Sequence, residues 1–127
     1  MTDDQETNRK YWADELRQVR FECLTPNWDG YDSPPVEYIT LIHAETFLYN
    51  LPDDVAKPDL GAEPGGLLTL EWYQSLGRLL SISIGKNNCI YYAAIYDGEK
   101  WCGHKILKGN KIPQIVLDLI RKVSIGE

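Results

Sequence analysis

Apolar residues recur at helical spacing towards the two ends of the chain and at alternating spacing between them. From about Asp4 to Leu24, Trp12, Leu16, Val19 and Cys23 follow at intervals of four, three and four, which places them on one helix face. Thr2 or Asp3 can cap this helix, acids in its first turn suit the positive end of its dipole, and Pro26 ends it. A second helix is expected after Ser33-Pro34, a capping side chain followed by a residue with no amide hydrogen to lose. It should run to about Leu51 and stop at Pro52. Leu41, Ala44, Leu48 and Leu51 form its stripe, widened by Tyr38 and Ile42.

Residues 52–66 hold three prolines and three glycines and read as an extended, solvent-facing connector within one domain. From Leu67 the period falls to two. Leu68, Leu70 and Trp72 alternate with Thr69, Glu71 and Tyr73, and Leu80, Ile82 and Ile84 alternate with Ser81 and Ser83. Cys89–Tyr96 and Trp101–Leu107 follow. The joints are short, and Asp97-Gly98 is a strong two-residue hairpin signal, so the four strands form an antiparallel meander. A final helix opening near Pro113 presents Ile115, Val116, Leu119, Ile120 and Val123. Three amphipathic helices and one sheet give a two-layer α+β domain of order α-α-β-β-β-β-α over residues 1–127. The uncovered sheet face should show Thr69, Glu71, Tyr73, Ser81 and Ser83, with Tyr91 or Tyr92 according to register.

The 127-residue length suits one domain large enough to fold without metal or disulfide staples. Apolar runs too short for a bilayer, an acidic start and three widely spaced cysteines (Cys23, Cys89, Cys102) fit a cytoplasmic protein with reduced thiols. The net charge of −6 divides unevenly. Residues 1–71 carry 15 acids and 5 bases, and residues 72–127 carry 4 acids and 8 bases, or −10 against +4. If the halves keep separate faces, the molecule is a dipole able to dock by charge.

No residue set assembles into a catalytic or metal site. Cys102 and His104 share a strand face, but i and i+2 side chains stand about 6–7 Å apart, too far for a direct hydrogen bond without bending. The other histidine, His43, lies in mid-helix off the main apolar stripe. The cysteines and histidines lack the close spacings of a zinc site, and Pro64-Gly65-Gly66 precedes a strand rather than a phosphate-binding helix. Neither a cofactor nor an enzymatic activity is therefore expected; the alternative is a small enzyme or ligand-binding module on the sheet face, with Cys102, His104, Glu71 and Tyr73 as its candidate groups. Lys100, Lys105, Lys108 and Lys111, with Trp101 among them, could track single-stranded nucleic acid, but the acidic total argues against it.

Two segments carry a family likeness. Asn27-Trp28-Asp29-Gly30-Tyr31-Asp32-Ser33-Pro34 before a helix, and Gly66-Leu67-Leu68-Thr69-Leu70-Glu71-Trp72 after a Pro/Gly-rich connector, resemble paired signatures of small uncharacterised bacterial and phage-associated proteins. The likeness covers about residues 16–85. It implies an accessory or regulatory role and brings no catalytic residues with it. The matching expectation is a non-enzymatic inhibitor, immunity or antitoxin-like factor. It would bind another protein, one with a basic surface, through Trp28, Asp29, Tyr31, Asp32, Glu71 and Trp72, its acids standing in for phosphate. No membrane partner is expected, and an open sheet edge is compatible with a homodimer.

Overall fold

Helix α1 (Asp3–Glu22) and helix α2 (Tyr38–Tyr49) precede five strands, β1 (Asp59–Ala62), β2 (Leu68–Ser75), β3 (Arg78–Ile84), β4 (Cys89–Tyr96) and β5 (Glu99–Ile106), and helix α3 (Gln114–Ser124) closes the chain. The computed structural model describes residues 3–22, with side chains from 10 to 19, and residues 37–52, 54–63, 65–108 and 111–124. The expected Thr2 or Asp3 cap, Cys23 and the Pro26 stop lie outside what is described, as do Ser33 and Pro34 themselves; the helix expected to open there begins instead at Tyr38, because Glu37 before it is extended at φ −72° and ψ 151°. No described helix is long and apolar enough to cross a membrane.

The strands pair antiparallel in sequence order, so the α+β class and the meander hold, but the sheet has five strands and not four. The additional strand is β1, inside the segment read as a connector. Four residues are too few for alternation to show, and Gly61 and the flanking Pro58 point to a loop. Pairing with β2 overrides that signal, setting Leu60 opposite Leu70 and Ala62 opposite Leu68. As the edge strand, β1 tolerates the neighbouring proline. Its turn into β2 is closed by Glu63 N–H donating to Leu67 O at 2.8 Å, with Gly65 and Gly66 both at positive φ. Asp97 and Gly98, at φ 52° and 79°, join β4 to β5 in the left-handed conformation that the Asp-Gly pair predicts.

The inward face of the sheet is apolar along every strand from β2 to β4. Leu68, Leu70 and Trp72, then Leu80, Ile82 and Ile84, then Ile90 and Ala94 pack against Val116, Leu119, Ile120 and Val123 of α3 and against α1 and α2 in one core. Each fully buried aliphatic side chain there contributes roughly 1.5–3 kcal/mol. On α1 the expected stripe of Trp12, Leu16 and Val19 is buried.

On α2 the stripe needs correcting. Leu41, Ala44 and Leu48 are buried as expected, but Tyr38 and Ile42 are 64% and 38% exposed, and Thr40 and Phe47 take their places. At 100° per residue, Tyr38 and Ile42 lie roughly 120° and 160° around the helix from Ala44, whereas Phe47 lies roughly 60° from it. The buried arc faces α1 on one side and β2 and β3 on the other.

Candidate functional site on the helix-free sheet face

All three described helices share the core on one side of the sheet, leaving the other side without a helical cover among the described residues. Register fixes what stands on that outer face. One row across the strands reads Gly61, Thr69, Ser83, Tyr91 and His104, and the next reads Asp59, Glu71, Ser81, Ala93 and Cys102. The choice between Tyr91 and Tyr92 is thereby resolved. Tyr91 faces outward and is 52% exposed, while Tyr92 points inward, its hydroxyl over Gly103. Tyr73, also 52% exposed, stands two residues along β2 from Glu71.

Three groups of polar contacts organise this surface. Glu63, just past the end of β1, accepts hydrogen bonds from the Thr69 hydroxyl and from Ser83 Oγ, the latter at 2.5 Å, which ties the β1–β2 turn to β3. Asp59 and Glu71 are directly opposite across β1 and β2. Both are exposed, and neither is ion-paired among the described residues. Directly opposed like charges weaken a strand pair, so this acidic pair is a cost that the free protein carries. At the far side, the Tyr91 and His104 rings lie 6.0 Å apart at 41°. A hydrogen bond with the Cys89 side chain, reinforced by the Cys89 charge and by desolvation, raises the Tyr91 pKa above the ordinary tyrosine value.

The sheet realises the charge asymmetry of the sequence from one edge to the other. Asp59, Glu63 and Glu71 cluster at β1 and β2, where strand residues 59–75 include no lysine or arginine, and Lys100 and Lys105 lie on β5. The two lysines point to opposite faces, because Lys100 pairs with outward Ile95 and Lys105 with inward Ile90. Trp101 also faces inward, half-buried, with Lys122 Nζ 6.0 Å from its ring centre.

Of the six residues expected to bind a partner, Trp28, Asp29, Tyr31 and Asp32 lie outside the described residues. The other two do not meet at one surface. Glu71 is exposed on the outer face, but Trp72 is 3% exposed on the inner face, its Nε1–H donating to Ala56 O at 2.7 Å. Alternation along β2 separates them, and Trp72 is a core residue that pins the chain before β1 to the sheet.

The candidate chemical groups do not converge either. Cys102 and His104 share the outer face of β5 as expected. Glu71 and Tyr73 lie three strands away, about 14 Å at ordinary strand spacing. His43 Nε2 lies 3.1 Å from the accepting Lys86 O, which ties its ring to the β3–β4 turn. No group of three or more His, Cys, Asp or Glu among the described residues is placed to hold a metal ion. A groove of about 220 Å³ lies elsewhere, between α1 and α2, lined by Leu16, Arg17, Tyr38, Ile42 and Glu45.

Glu63 is the residue of this surface that sequence reasoning missed. Its partners are six and twenty residues away, and nothing local in Ala62-Glu63-Pro64 signals a bond to Ser83. Compared with protein-family models, with curated proteins and with solved structures, the chain finds no match in any of the three.

Proposed function

We infer that the protein is a non-enzymatic interaction factor that binds a partner protein through the helix-free face of its sheet. The observation that carries this reading is the Asp59–Glu71 couple, without an ion-pair partner among the described residues, beside exposed Tyr73 on a face that no described helix covers. A basic group docked between the two carboxylates relieves their repulsion, so the cost present in the free protein becomes affinity in the complex. Tyrosines with part-exposed rings add contact area at low entropic cost. The partner that suits this surface is a protein with a basic patch, and acids can there stand in for phosphate. An inhibitor, immunity or antitoxin-like role in a bacterium or phage is compatible with the accessory or regulatory role implied by the resemblance of residues 27–34 and 66–72 to small uncharacterised bacterial and phage-associated proteins.

Affinity capture from a host extract, followed by quantitative mass spectrometry, tests the reading. A partner retained by the native protein should be lost with Glu71→Lys and with Tyr73→Ala, while Tyr38→Ala on the helical side leaves it bound. Retention of every partner by both outer-face variants contradicts the assignment.

A further inference from the structure

The two edges of the sheet are unequal. β1 is four residues long and packs against α1, whereas β5 presents eight residues with no strand beyond them among the described residues. Which backbone groups of β5 face outward follows from the ladder. Leu107 N–H donates to Asn88 O at 2.9 Å, and the two-residue Asp97-Gly98 turn is closed by Tyr96 and Glu99. Hydrogen-bonded pairs alternate along an antiparallel ladder, so Glu99, Trp101, Gly103 and Lys105 bond inward to β4. The N–H and C=O groups of Lys100, Cys102, His104 and Ile106 therefore point away from the sheet. All four of these residues are exposed.

We propose that this edge pairs with the same edge of a second copy of the chain, antiparallel about a twofold axis at Cys102, to make a continuous ten-stranded sheet. The register is selected by charge. With Cys102 opposite its own copy, Glu99 faces Lys105 of the other strand and Lys105 faces Glu99, so both charged pairs are attractive. Trp101 meets Gly103, the position on the inner face with no side chain of its own. Lys100 meets His104. The outward backbone groups of 100, 102 and 104 match in this same register, so ladder and charges agree. Edge lysines usually deter pairing because like charges end up opposed. Here Glu99 answers Lys105, which turns a general deterrent into a choice of one partner and one alignment. Within the chain, Glu99 lies opposite Tyr96 and Lys105 opposite Ile90, so neither charge is committed across β4. Twofold pairing also closes on itself and leaves no growing edge of this kind.

The proposal is independent of which protein the outer face binds. Sedimentation velocity on the full chain over a concentration series tests it, with a species of twice the 14.6 kDa chain mass expected to grow with concentration. Cys102→Pro removes a backbone donor that points away from β4 and should leave a folded monomer. Glu99→Lys should weaken association about tenfold by opposing two pairs of lysines. Adding Lys105→Glu to Glu99→Lys exchanges the charges and should restore native association. A monomer at every concentration overturns the proposal. So does a dimer indifferent to both Cys102→Pro and Glu99→Lys, and failure of the double exchange to restore association overturns the register.

Discussion

Glu71 and Trp72 are adjacent in sequence and stand on opposite faces of β2, so substitutions at the two should move stability in opposite directions. Trp72→Phe removes the indole N–H that reaches Ala56 O at 2.7 Å and leaves a void where the six-membered ring packed. The hydrogen bond contributes about 0.5–1.5 kcal/mol net, and the lost packing about 1–2 kcal/mol for a trimmed core side chain. The sum is a loss of about 1.5–3.5 kcal/mol. For a domain of 127 residues the entropy of unfolding is about 0.27 kcal/mol per kelvin, so the melting temperature should fall by about 6–13 °C. Glu71→Gln, by contrast, removes one of two opposed carboxylates at an exposed position. It should stabilise by a few tenths of a kcal/mol, up to about 1, and the gain should shrink as salt screens the pair. Calorimetry together with urea unfolding at low and high salt reads both. An unchanged stability for Trp72→Phe, or a clear loss for Glu71→Gln, would refute the assignment of Trp72 to the core and of Glu71 to an unrelieved surface pair.

Two further outcomes test the architecture around β4 and β5. A Cβ on Gly103 would lie 2.5 Å from the Tyr92 hydroxyl oxygen and 2.8 Å from Cζ, so Gly103→Ala must displace that ring. A net loss of about 1–2 kcal/mol is expected after the backbone-entropy gain of alanine is set against overpacking, and it should be smaller in a Tyr92→Leu background. In an ultraviolet absorbance titration, Cys89→Ala should move the late Tyr91 ionisation down towards the ordinary tyrosine value, and Tyr91→Phe should remove it. The sign is that of a raised folded-state pKa. The contribution of the Tyr91 proton is present below the unfolded value and is lost as pH rises through the folded one.

Much of the fold was legible because its elements are long and periodic. The burial of Leu68, Leu70 and Trp72 and of Leu80, Ile82 and Ile84 follows from alternation alone, and Asp97-Gly98 names its own turn. β1 is not legible, since its hydrogen bonds come from β2 and its sequence offers only Leu60 and the small Ala62 as inward side chains. On α2 the error was one of phase. Tyr38 and Ile42 are apolar enough to suggest the stripe, but the helical angle puts them on the far side from Ala44. The outer face was partly legible, with Thr69, Glu71, Tyr73, Ser81 and Ser83 on it as expected. What the sequence could not supply was register across strands, which chose Tyr91 over Tyr92, opposed Asp59 to Glu71 and brought Glu63 to Ser83. Pairing Glu71 with Trp72 as one surface overlooked the strand period that the rest of the strand reading used.

The claim on which the functional reading depends is that partners arrive on the helix-free face. Site-specific cross-linking in the producing cell tests it most directly, with benzophenone side chains placed one at a time at positions 73 and 91 on that face and at 38 and 42 on the helical side. Adducts to one common protein from 73 and 91, and none from 38 and 42, are the predicted result. Adducts from 38 and 42 with none from the sheet positions would contradict it.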